Sequence, residues 1–336
     1  MHPRSFFTSR RGALVGALLL AVTFGAPSLA AGPIPSTTAS PSSSPSASEE
    51  CATNAVSARL RPGSGSTVEP TEDLTPAQMK QVEKNFAAKL TAKGLTKNSN
   101  APGGVITINT YVHVLQNDDG SGGISLDQIK QQMTVLNAAY SGKASATDAK
   151  TAFTFRLINA DFTNKSAWSS FWAYDDTDKE LSTALHKGGL RDLNIFVGHL
   201  KGDVLGVANM PWDAGWYGKQ DGVRVTTDSM PGGAFGGYNL GDSVVHEVGH
   251  WLGLSHTFEN GCGGDGDGVA DTPAQDSGDN IFSCDENLDT CPAAGLDPVH
   301  NFMSYGTDYC MDRFSPGQAK RIGLMYYLYR SGYDRA

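Results

Sequence analysis

From residue 105 onward the chain alternates between two hydrophobic periods. In VITINTYVHVL (105–115) apolar and polar positions alternate, which predicts a strand with one buried face. LDQIKQQMTVLNAAYSG (126–142) shifts to helical spacing, and AFTFRLINADF (152–162) returns to the strand period. A short helix is expected over 178–187. Strands follow over LNIFVGHL (193–200), VLGVANM (204–210) and GVRVTT (222–227), then a helix from near Gly241. Strands interleaved with helices in this order predict an α+β (α/β-like) domain, a sheet with helices packed on it. No internal repeat is visible.

Upstream of that domain the pattern is sparser. LTPAQMKQVEKNFAAKLTAKG (74–94) predicts a helix capped by Thr75, with Pro76 in its first turn and Gly94 at its end. Its stripe of Met79, Val82, Phe86 and Leu90 needs a surface to pack on. Residues 32–50, rich in Pro, Ser and Thr, cannot bury a core, and PGSGST (62–67) is another flexible stretch. Residues 31–102 are therefore expected to be a linker and pro-region with one helix, and 103–336 the main domain. Beyond Thr257 the character changes again. Residues 259–312 hold twelve Asp or Glu, no Lys or Arg, and four cysteines. Such a segment has little core and needs staples. A last helix is predicted over 315–330, capped by Ser315.

Residues 1–30 combine a basic start, the twelve-residue apolar run ALVGALLLAVTF and a small-residue cleavage site at Ser28–Ala30. They predict a secretory signal peptide, the run being too short to span a bilayer comfortably. Arg10–Arg11 leaves twin-arginine export open beside the general route. Removing this segment deletes three arginines and no acids, taking the formal charge from -9 to -12. That balance argues against a nucleic-acid partner. No other apolar run reaches membrane-spanning length, so no membrane partner is expected after signal removal, and a monomer is expected. Export allows disulfides, and five cysteines, four of them clustered, leave one over.

The densest chemistry lies in HEVGHWLGLSH (246–256). On a helix, His246 and His250 stand one turn apart on the same face, a pair that can grip one metal ion. Glu247 points about 100° away and can reach a water on that ion rather than the ion itself. Gly253 can take the left-handed conformation that ends the helix, letting His256 swing back as a third ligand. Three neutral imidazoles and an open position suit a catalytic Zn²⁺ that acidifies water, with Glu247 as general base. The spacing H-E-x-x-H-x-x-G-x-x-H is the metzincin signature.

HEVGHWLGLSHTF, then GC, DTP, NFMSY and FSPGQ followed by Arg321, resemble the pappalysin (cytophagalysin) family of metzincins, particularly its short secreted members. The resemblance covers roughly 103–332 and is strongest over 239–321. It implies a zinc endopeptidase acting on proteins or peptides, with an upper twisted mixed sheet plus helices over a smaller irregular lower subdomain. Met303 matches the methionine beneath the metal, and Tyr305 the tyrosine that stabilises the tetrahedral intermediate. Ser304 stands where many relatives carry Asp, which bears on specificity. The resemblance also implies the pairings Cys262–Cys291 and Cys284–Cys310.

Three readings stay open at this stage. Asp265, Asp267 and Asp271 on a glycine-rich loop suit Ca²⁺, which family members bind nearby, or form a solvated acidic loop. Cys51 can act as a cysteine switch on the zinc of a zymogen, or be an unpaired or lipid-modified thiol. VLGVANMPW (204–212) is either an edge that binds extended substrate or an ordinary paired strand. The competing functional classes are a non-catalytic, zinc-stabilised extracellular binding module and a zinc amidase. An unligated Glu247 is of no use to the former.

Overall fold

The computed structural model describes residues 56–60, 62, 74–202, 204–263 and 266–332. Its elements run β1 (Val56–Leu60), α1 (Pro76–Ala92), β2 (Ile106–Gln116), α2 (Leu126–Tyr140), β3 (Phe153–Asn164), the single turn α3 (Ser166–Ser169) and β4 (Ser170–Phe171). They continue with α4 (Asp176–Leu185), β5 (Leu193–Leu200), β6 (Val204–Asn209), the turn α5 (Ala214–Tyr217), β7 (Val223–Thr226), α6 (Asp242–Trp251) and α7 (Pro316–Met325), which ends in a π-helical turn, Tyr326–Arg330.

The strands form one mixed sheet in the order β1-β6-β7-β5-β2-β3, with β4 beside β5. β7, β5, β2 and β3 are parallel, as the intervening helices require. β6 runs antiparallel to β7, and β1 antiparallel to β6. Alternation assigns the faces: Ile195 and Val197 join the core beneath α2 and α6, whereas Phe196 joins Leu115, Phe171 and Leu181 on the other side. All ten residues of α6 are buried, so this helix runs through the middle of the molecule.

Local chemistry sets the helix ends. Thr75 and Gln78 form a capping box at α1, and beyond its last residue Gly94 (φ 69°) closes the turn with Leu95 N–H donating to Leu90 O at 2.9 Å. The described residues of 257–314 are irregular apart from one 3₁₀ turn, Asp279–Phe282, and a single β-bridge between Asn301 and Arg313. Here Cys262 is joined to Cys291 and Cys284 to Cys310, the pairing that the resemblance implies. The upper sheet and helices over an irregular, stapled lower part match the expected fold class.

The stripe of α1, which needs a surface to pack on, is buried at Met79, Val82, Phe86 and Leu90.

Candidate active site

α6 starts at Gly241, whose φ of 110° suits glycine, and the backbone N–H groups of Leu240, Gly241 and Asp242 converge on Asp308 Oδ2 at 2.8, 3.2 and 3.4 Å. A carboxylate at this helix terminus satisfies orphan donors and faces the positive end of the dipole. At the other end Gly253 (φ 101°) reverses the chain, with Leu254 N–H donating to Gly249 O at 2.9 Å. That turn brings His256 back over the helix face carrying His246 and His250.

The three imidazoles converge through Nε2, with 2.9 Å between His246 and His250 and 3.1 Å between His250 and His256. His246 Nδ1 donates to Phe302 O at 2.6 Å and His250 Nδ1 to Leu254 O at 2.7 Å. A carbonyl can only accept, so both rings carry their proton on Nδ1 and present an Nε2 lone pair. Burial, followed by the neighbouring imidazoles, pushes both rings well below the usual histidine range and keeps them neutral. Two such lone pairs 2.9 Å apart have no proton to share, an arrangement that a cation relieves. Nitrogens held by a tetrahedral zinc ion stand roughly 3.3 Å from one another, so the donor set fits. A Cβ on Gly249 would collide with Met303 Sδ, so the glycine lets the methionine lie against the helix beneath this cluster.

Glu247 is fully buried and its carboxyl is raised well above the ordinary range by that burial. Its Oε1 accepts from the backbone N–H of Arg59 at 3.3 Å, and among the described residues Oε2 meets no hydrogen-bond donor. Gly206 of β6 makes this approach feasible, since a Cβ there would run into the Glu247 side chain. Tyr305 stands beside the cluster, its ring centroid 4.9 Å from His256 and 5.8 Å from His246. Phe258 stacks on His256 at 4.6 Å.

β1 lies across this site, with Ala58 opposite Val207 and Arg59 opposite Gly206. The 204–212 edge therefore carries an extended segment of the same chain. The Arg59 side chain enters a closed corner beneath the start of α6. Its Nη1 donates to Ser243 Oγ at 3.0 Å and its Nη2 to Gly306 O at 2.8 Å. Asp308 Oδ1 lies 3.0 Å from Nη2 but off the N–H direction, so that contact is Coulombic; neither side chain is exposed. The Tyr238 ring faces the guanidinium at 5.3 Å. Burial, and after it the charge of Asp308, raises the Asp242 carboxyl well above its usual range.

The sequence did not point to Arg59, Ser243 or Gly206. The one available signal was the short alternating run VSARL inside an otherwise Ser- and Gly-rich stretch. Cys51 and Asp265 lie outside the described residues. Asp267 accepts from Val269 N–H and Thr272 Oγ1, whereas Asp271 accepts from Ser315 Oγ and Gly317 N–H at the start of α7. Both aspartates are thus occupied with protein donors, and they do not belong to a converging set of three ligands among the described residues. His113 is a buried structural histidine between Asp161 and Asn194. His300 lies against the Cys284–Cys310 pair, whose sulfurs are committed to each other.

Residues 193–325 match the peptidase M43 family model described as pregnancy-associated plasma protein-A, and residues 126–257 match that of the reprolysin-like M12B metallopeptidases. An extracellular metalloprotease of Pyricularia oryzae is 38% identical over 271 residues, covering 79% of this chain and 88% of its own. The chain belongs to the pappalysin family of metzincins. Extracellular metalloprotease 1 of Coccidioides posadasii is 34% identical, covering 77% of this chain and 89% of its own. Mature mirolysin of Tannerella forsythia, solved with a cleaved peptide, superposes with a TM-score of 0.58 at 26% identity over 70% of this chain and 98% of that one. Promirolysin superposes at 0.60 and 25% identity, over 77% and 94%. This pappalysin is accordingly a metalloendopeptidase whose substrates are proteins or peptides. No helix among its described residues is long and apolar enough to cross a membrane.

Proposed function

We propose that the protein is a secreted zinc endopeptidase, made as a zymogen, that cuts on the N-terminal side of arginine. The observation that carries this reading is the pose of Arg59. Its backbone nitrogen faces Glu247 while its guanidinium fills a buried corner against the Asp308 carboxylate. Antiparallel to β6, β1 follows the path of an extended substrate, and the Ala58–Arg59 bond lies where cleavage would occur.

His246, His250 and His256 would hold zinc, and bound there it supplies the Lewis acidity that readies water for attack near neutral pH. Glu247 takes a proton from the attacking water and returns it to the leaving amine, the position that the Arg59 nitrogen occupies. An ionised carboxylate is needed for the first step, and opening the cleft to water on departure of β1 relieves the burial that opposes ionisation. The Tyr305 phenol is placed beside the histidines to donate to a developing oxyanion. In the zymogen, β1 blocks the cleft by being its first substrate.

A peptide-library digest with and without a zinc chelator tests this reading. Chelator-sensitive cuts before arginine are expected. The Glu247→Ala chain should retain zinc by elemental analysis while losing turnover and leaving Ala58–Arg59 intact by mass. Full zinc occupancy with no chelator-sensitive cleavage would instead support the binding-module class.

A further inference from the structure

Arg321, which closes the FSPGQ motif, has no part in the reading above, and α1 was assigned by sequence to the removable region. The structure ties the two together behind the histidine turn. Met79 and Val82 of α1 pack with Met210 and Trp212, and Phe86 and Leu90 with Leu324, Met325 and Leu328 of the C-terminal helix. Leu74, just before α1, is buried in the same contact. Between these apolar groups Glu83 Oε1 accepts from Arg321 Nη2 at 2.6 Å, and its other oxygen pairs with Lys97. Arg321 is 4% exposed and lies over the Phe86 ring.

From the same guanidinium, Nε donates to Gly253 O at 2.9 Å. Gly253 is the left-handed residue that reverses the chain toward His256, and the next carbonyl, Leu254 O, accepts from His250 Nδ1. One face of the turn is packed so closely that a Cβ on Gly253 would collide with Met325. On the other side of the pair, a Cβ on Gly268 would strike the Glu83 carboxyl. The carbonyl that sets the direction of the turn is thus held by a cation whose own counter-charge comes from α1. Groups that orient metal-bound histidines from behind govern how firmly the ion is held.

We infer that α1 belongs to the working enzyme rather than to the removable segment, and that Glu83 is a positioning residue that holds the His256 turn through Arg321. Activation cleavage then falls N-terminal to Leu74. The inference rests on the metal-site reading for its effect on the ion, and on the packing of α1 alone for the boundary.

N-terminal sequencing of the processed, active protein tests the boundary. A first residue before Leu74 is expected, and a fully active form that begins after Ala92 overturns the inference. For the positioning role, zinc release from the full-length chain to a fluorescent chelator is compared among wild type, Glu83→Gln and Val82→Ala. Glu83→Gln should release zinc about tenfold faster or more. Val82→Ala, which loosens the packing of the same helix without touching Arg321, should lower the melting temperature while leaving release within about twofold. If both variants release zinc equally fast, or Glu83→Gln no faster than wild type, the positioning role is wrong. A wild-type chain that holds no zinc would sink the metal-site reading instead, while leaving the boundary result to stand or fall by itself.

Discussion

Replacing Asp308 with Asn removes the charge facing the guanidinium while retaining an oxygen for the N–H groups of Leu240, Gly241 and Asp242. The pair is buried on both sides at 3.0 Å, and taking one partner from such a pair costs about 3–5 kcal/mol, because the remaining charge has neither water nor counter-ion. Ser243 Oγ, Gly306 O and the Tyr238 ring remain in place, so the arginine still fits but is no longer compensated. Expressed in kcat/KM for a substrate with arginine after the cleaved bond, the loss is roughly 150- to 5,000-fold at 1.36 kcal/mol per decade. The control is a peptide carrying citrulline at that position, which has nearly the shape of arginine without its charge. Wild type should discriminate against citrulline by a comparable factor, and Asp308→Asn should cleave both peptides at similar low rates. The double cycle between enzyme and substrate isolates the charge pair from any general damage to the start of α6. Equal cleavage of both peptides by wild type, or an undiminished arginine preference in the variant, refutes the reasoning.

Two further outcomes follow from the lower subdomain. Burial raises the Asp267 carboxyl to about 7, above its unfolded value near 4, so between these pH values the native chain holds a proton that the unfolded chain has lost. Stability therefore falls as pH rises through that window, and Asp267→Asn should melt at the same temperature as wild type near pH 4 but higher at pH 8. A lower melting point at pH 8, together with loss of a calcium-induced stabilisation, would show instead that Asp267 is a charged calcium ligand. Converting Cys284 and Cys310 to serine removes a closure of 26 residues, worth about 3.5 kcal/mol by the loop-entropy relation. Because Cys310 stands two residues from Asp308, KM for arginine peptides should rise more than kcat falls; unchanged KM with a lowered melting temperature would confine the bond to a stabilising role.

The difference between what was legible in the sequence and what was not follows from how far apart the cooperating residues lie. His246, His250, Gly253 and His256 are one helix and one turn, so the helix repeat and the turn at Gly253 bring three imidazoles to one point, and the structure converges their Nε2 atoms as that geometry demands. The strand alternation of residues 105–115 was readable for the same reason, each residue's face being fixed by its immediate neighbours. Arg59 and Asp308 are 249 positions apart, and each by itself is an ordinary charged residue in a polar stretch. Only the antiparallel register of β1 on β6, together with the loop braced by Cys310, puts them in contact, and no local pattern encodes that register. The same distance concealed the role of α1. Its stripe announced a buried face, but only the fold reveals that the face lies against the support of the histidine turn. Discarding this helix would strip Arg321 of its Glu83 counter-charge and of the Phe86 ring over it, a cost that composition alone does not announce.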